Sequence, residues 1–181
     1  LPTAAPYSVS RFACPRVRQQ LNDCLSSKSP DVVVCDFLDA AINFPERLTT
    51  PSILFQHNVE SEIWRRHAET STSLGRRQIY KREFAKMLRY ERAMVRKFDH
   101  VIAVSEHDRS LMSAWVDASR IDVVPTGVDL EEYRFDENAP PSGPLVVFVG
   151  AMDWEPNVDA VEHFCAKAWP AITARVPEAR F

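Results

Sequence analysis

The chain has 181 residues, 45% of them apolar and 26% charged, with a formal net charge of −3. That length and balance suit a folded globular chain with a sizeable core, and they give no whole-chain attraction to nucleic acid. No apolar run approaches the roughly 20 residues that cross a bilayer, and the LPTAAPYSVSRF start lacks the charged and apolar regions of a signal peptide, so a soluble cytoplasmic chain is expected.

Residues 1–15 are rich in proline and serine and read as irregular. Arg16 to Leu25 is predicted as a short helix. Pro30-Asp31 then introduces DVVVCDF, and Pro51 introduces SILFQHN. Apolar runs of this kind, bounded by turn residues, predict strands buried on both faces of a parallel sheet. From Glu60 to Phe98 the spacing becomes helical, with Phe84, Leu88, Tyr90, Met94, Val95 and Phe98 recurring on one face. Ser73 and Gly75 predict a break, giving two helices or one kinked helix.

His100 to Val104 is predicted as a third strand. Ser105 is placed at the N-cap of a helix from Glu106 to Val116, with Asp108 completing a capping box. Ile121 to Val124 is predicted as a fourth strand, ended by Pro125. Residues 136–144, DENAPPSGP, read as a linker. Leu145 to Val149 is predicted as a strand, followed by a helix from about Val158 to Arg175, and Arg180-Phe181 as the first residues of another strand. The organisation expected is therefore the later part of one α/β domain over residues 1–135, the linker, and the first β-α unit of a second domain over residues 145–181. Strands at 100–104, 121–124 and 145–149 each end in Ser, Thr-Gly or Gly, and ligands bind at such C-terminal strand ends in open α/β sheets, so a cleft between the two domains is expected.

Four cysteines, Cys14, Cys24, Cys35 and Cys165, form no CxxC pair and read as reduced and structural. No spacing among His67, His100, His107 and His163 suggests a metal site, and no cofactor is expected. There are only four glycines, no GxGxxG and no P-loop. A dinucleotide oxidoreductase is thereby disfavoured.

Asp36, Phe37 and Asp39 end the first strand, and His57, Asn58 and Glu60 end the second. Parallel pairing would cluster them on one rim, where a carboxylate beside an imidazole can orient or deprotonate a hydroxyl. At the rim of the third strand Ser105 has a capping role as well as access to a ligand, Gly127 is expected in a tight turn, and Gly150 is expected to admit a close ligand or backbone approach. A helix beginning near Asn157 would aim its N-terminus at an anion, although the loop at 151–157 has acids and no Lys or Arg. Residues 76–97 hold nine basic and two acidic residues, a local +7 against −10 for the rest of the chain. Arg82, Lys86, Arg89, Arg92 and Arg96 there form either a solvated face or a contact for an anionic surface such as lipid headgroups. Trp64, Arg65 and Arg66 upstream suit a membrane interface.

VIAVSEHDRSLM, VVPTGVDLEEY and VVFVGAMDWEPNVDAVEHF, in that order and spacing, resemble the retaining, nucleotide-sugar-dependent glycosyltransferases of the GT-B fold, the group 1, family four type. The likeness is nearest to bacterial transferases of exopolysaccharide synthesis and covers residues 31–181. It implies two Rossmann-like domains, only part of each present. It also implies a nucleotide-diphosphate sugar as co-substrate, a saccharide or lipid-linked acceptor, and possible peripheral contact with the inner membrane face. By the resemblance, Asp36, His57 and Asn58 lie toward the acceptor and Ser105, Gly127 and Gly150 toward the donor.

The pattern departs from the family at Thr126, where many members carry Asn, and at Ala151 and Pro156, where many carry Arg and Lys. The family's Gly-rich first loop would precede residue 1 and its paired glutamates would follow Phe181. The chain is accordingly expected to be a fragment, inactive alone, with catalytic residues not assigned. Two alternatives stay open at this point: a sugar-nucleotide epimerase of GT-B fold, and a non-enzymatic membrane-docking module that uses the basic helix.

Overall fold

The computed structural model describes residues 5–134, 143–153 and 155–181. The chain divides into two compact units, Leu1–Gly127 and Val128–Phe181. The part of the proposed linker at 136–142 lies outside the described residues.

The first unit opens with α1 (Tyr7–Ser10) and α2 (Pro15–Ser27), the latter with proline at its start, where the missing N–H costs nothing. Then come β1 (Val33–Asp36), a 3-10 turn at Leu38–Asn43, and β2 (Ser52–Gln56). The helical stretch resolves into two helices, α3 (Glu60–Thr70) and α4 (Leu74–Lys97). They are followed by β3 (His100–Ala103), α5 (Glu106–Met112) and β4 (Ile121–Val123). The four strands form one sheet in the order β1-β2-β3-β4, and every neighbouring pair is parallel. Parallel neighbours need a crossover of a dozen or more residues. The 3-10 segment supplies it between β1 and β2, the α3–α4 hairpin between β2 and β3, and α5 between β3 and β4.

The core lies between the sheet and its helices. Leu54, Val101, Ala103 and Ile121 from the strands meet Met87 and Val95 from α4, Phe98 just after it, and Met112 from α5. Burial on both faces was expected of the first two strands, and β1 departs from it: Val34 is 51% exposed. Among the described residues β1 pairs only with β2, at the edge of the sheet. Cys35 faces inward, and burial pushes its thiol up to about 12, which leaves it unreactive. All four cysteines are free.

Ser105 caps α5, its hydroxyl accepting the Asp108 N–H at 3.1 Å. The reciprocal half of a capping box is absent: the Asp108 carboxylate accepts from the Ser105 hydroxyl at 2.6 Å rather than from its backbone. The helix ends at Met112, four residues short of the expected Val116.

In the second unit, α6 (Glu155–His163) and α7 (Trp169–Arg175) join through a π turn at Phe164–Ala168. The strand predicted at Leu145–Val149 does not form as a ladder. Leu145 makes one parallel bridge to Arg180, with the Val146 N–H donating to the Arg180 carbonyl at 2.8 Å. Beyond that bridge Val149 is 91% exposed. An extended segment needs a hydrogen-bonded neighbour along its length to become a strand. Phe164, Trp169 and Phe181 cluster, with ring centroids 4.9–6.1 Å apart.

Candidate functional site at the end of the parallel sheet

Parallel topology brings the C-terminal ends of all four strands to one rim. The register pairs Asp36 with Phe55, and beyond that pair the rings of Phe37 and His57 stand side by side. His57 Nε2 lies 2.7 Å from the Asp36 carboxylate. With Nε2–H donated to Asp36, the tautomer assigned by that bond leaves the lone pair on Nδ1. The imidazole stacks on Phe37, with centroids 3.9 Å apart and 13° between planes, and rests against Phe55 at 4.4 Å. Two rings and a carboxylate thus fix its position.

Phe37 itself has φ 65°, in the left-handed region that a bulky residue rarely adopts. Such a conformation costs on the order of 1–3 kcal/mol and persists only where its surroundings hold it. Here the Phe37 N–H donates to the Phe55 carbonyl at 3.1 Å, and the Phe37 carbonyl accepts the Ala40 N–H at 3.2 Å. The strained turn is what lays the ring on His57.

Beside the pair is a groove of about 550 Å³, lined by apolar Phe12, Val17, Phe37 and Ala40 with Asp36, Asp39 and Asn43. Its wall is anchored by Asn43. That buried amide accepts the Cys14 N–H at 2.8 Å and donates to the Phe12 carbonyl at 3.0 Å.

Behind the rim sits a buried carboxylate, Glu91 on α4. One oxygen accepts the Glu60 N–H at 2.7 Å and the Gln56 amide at 3.1 Å; the other accepts the Ser61 N–H at 3.0 Å and the Ser61 hydroxyl at 2.5 Å. The first N–H groups of a helix have no partner within it. Val59, which precedes α3, has no side chain to cap it, so Glu91 caps α3 from another helix. Burial pushes the Glu91 carboxyl upward, and the four donors oppose that shift.

Glu60, at the head of α3, is pushed up to about 7, first by burial and then by the negative Asp39 and Glu91, against a lowering hydrogen bond from Asn58. The folded chain therefore keeps a proton there that the unfolded chain loses at an ordinary 4.5. Between those values the folded state binds more protons, so stability falls as pH rises through the window. Glu60→Gln stays neutral and is expected to flatten this slope in urea melts taken from pH 5 to pH 8. A slope equal to that of the native chain would contradict the assignment.

Asp36 and His57 are thus brought together, and Asn58, next in the chain, hydrogen-bonds the Glu60 side chain. Ser105 stands at the same rim, at the end of β3, with its hydroxyl engaged by Asp108. Gly127 lies in a stretch at 124–129 with no turn, and an added Cβ would meet nothing within 4 Å. At Gly150, in the second unit, the space a Cβ would need is filled by the Phe148 ring at 2.7 Å and the Asn157 amide at 2.9 Å. Close packing within the chain thus accounts for that glycine.

Arg82, Lys86, Arg89, Arg92 and Arg96 fall within about 120° of the α4 circumference. Lys86 pairs with Glu83 at 2.9 Å, Arg89 donates to the Ala85 carbonyl, Arg92 lies over Trp115, and Arg96 donates to the Trp115 carbonyl.

Sequence reasoning missed the roles of Glu91, Asn43 and Phe12. Glu91 had a signal: Met87, Glu91 and Val95, spaced by four, share the inward face of α4.

Among the described residues, no group of three or more His, Cys, Asp or Glu is placed to hold a metal ion, and no helix is long and apolar enough to cross a membrane. A protein-family model, Glycosyltransferase Family 4, matches residues 2–132. No curated protein and no solved structure matches the chain.

Proposed function

The chain belongs to glycosyltransferase family 4, and on that premise we propose that it serves transfer of a sugar, with retention, from a nucleotide-diphosphate sugar to a hydroxyl of a saccharide or lipid-linked acceptor in polysaccharide synthesis. The reading assigns the acceptor to the rim of the first unit. Ser105, Gly127 and Gly150 are kept as its donor-side residues.

The observation that carries it is the Asp36–His57 hydrogen bond, made by an aspartate that itself lines the groove. An acceptor seated against Phe12, Val17 and Ala40 would present a hydroxyl to His57 Nδ1. The acceptor oxygen bonds to the anomeric carbon on the face from which the diphosphate departs, so that configuration is kept as the bond to the diphosphate breaks, and the hydroxyl proton passes to the imidazole. Asp36 holds the ring in the tautomer that accepts it and stabilises the imidazolium formed.

Asp36→Asn in the full-length protein tests this directly. The amide can still bond the ring but no longer favours the Nδ1 lone pair or the imidazolium. The expected result is a fall in kcat of at least about tenfold with nucleotide affinity unchanged. Unchanged kcat would remove the pair from the mechanism.

A further inference from the structure

The corner where α3 turns into α4 carries a feature that sugar transfer does not use. The first two turns of α4 expose Leu74 (79%) and Ile79 (59%) to solvent. Around them Arg76, Arg77, Lys81 and Arg82 are all exposed, and no acidic residue occurs from Thr70 to Arg82. Exposed large aliphatic side chains flanked by cations are costly to leave in water, and they match a surface that is negative outside and apolar beneath.

The tip also holds a polar cavity of about 200 Å³, lined by the four hydroxyl residues at 70–73 with His67, Arg76 and Tyr80. Its lining is hydrogen-bonding and cationic, the chemistry that receives a phosphate oxygen. Farther along α4 the arginines lean back on the body of the fold: Arg92 lies over Trp115, and Arg96 donates to the Trp115 carbonyl. The end of the stripe that reaches outward is the corner.

We propose that the α3–α4 corner is a docking surface for an anionic phospholipid bilayer. Leu74 and Ile79 enter the headgroup layer, Arg76, Arg77, Lys81 and Arg82 meet lipid phosphates, and the cavity beside Arg76 seats one of them. A second copy of the chain is a poor occupant, because pairing two such faces would set like charges against each other. Each basic residue near a negative leaflet contributes about 1 kcal/mol, and salt screens that attraction. The inference is independent of the role given to Asp36 and His57.

Flotation of the full-length protein with vesicles tests it. Vesicles of phosphatidylcholine with about one third phosphatidylglycerol are expected to carry the protein up, and pure phosphatidylcholine vesicles to leave it behind. Leu74→Ser with Ile79→Ser is expected to weaken binding about tenfold or more. Arg76→Glu with Arg77→Glu is expected to weaken it about a hundredfold or more. All four positions are exposed, so each double variant should keep the native thermal midpoint, which serves as the folding control. Equal binding to neutral vesicles would overturn the proposal. So would failure to bind anionic vesicles, binding to heparin in place of vesicles, or a Leu74/Ile79 variant that floats like the native protein.

Discussion

Glu91→Ala is expected to destabilise the protein by on the order of 4 kcal/mol, read as a fall in the urea midpoint. Four donors converge on this buried carboxylate from β2 and from the head of α3. Each donor left unpaired in the interior costs about 1–3 kcal/mol, and water entering the vacated space would recover part of the loss. Alanine also forfeits the carboxylate's favourable interaction with the positive end of α3. Glu91→Gln should cost less, about 2 kcal/mol, because one oxygen still accepts while the amide nitrogen faces the remaining donors. The consequence extends to the rim. Glu60 and Ser61 follow His57 and Asn58 by only a few residues, so freeing the head of α3 loosens the segment that carries the imidazole. A loss below about 1 kcal/mol for Glu91→Ala would mean the cap is incidental.

The second large effect concerns chemistry. His57→Ala in the full-length protein is expected to lower kcat by about 100- to 1,000-fold, the range of a positioned general base. The stacking lost with Phe37 is worth about 0.5–1.5 kcal/mol, so the fold should persist with a modest shift in midpoint. Donor nucleotide affinity, measured by titration, should stay within about twofold, because the imidazole is assigned to the acceptor. His57→Gln fills the space and keeps a hydrogen bond to Asp36, yet it cannot take the proton, so it should be nearly as slow as the alanine variant. Activity within about threefold of native for both variants would remove His57 from catalysis. A loss of nucleotide affinity with kcat unchanged would place it on the donor side.

Much of the parallel sheet could be read from the chain because its signals are local. Val-Val-Val-Cys and Ser-Ile-Leu-Phe are apolar and bounded by proline, and helix periodicity stops and restarts around Ser73. The Ser105 cap was legible for the same reason, since its partner Asp108 is three residues away. What escaped depends on distance in sequence. Glu91 looks like one of two acids in a basic helix until α3 is packed over it, 30 residues upstream. The left-handed Phe37 has no glycine or asparagine to announce it; its neighbours on β2 impose it. The predicted strand at Leu145–Val149 has the right composition but only one bridge to pair with. Asp36 and His57 could be named as a pair on the assumption of adjacent parallel strands, whereas the groove wall from Phe12 could not, because the Asn43 hydrogen bonds that hold it there come from a residue far along the chain.

The most direct test of the central claim is nucleotide release by the full-length protein from a panel of UDP-, GDP- and ADP-sugars, with and without saccharide and lipid-linked acceptors. The account predicts sugar-dependent release of one nucleotide, raised by an acceptor and suppressed by His57→Ala. Absence of release from every donor, with each acceptor class present, would contradict it.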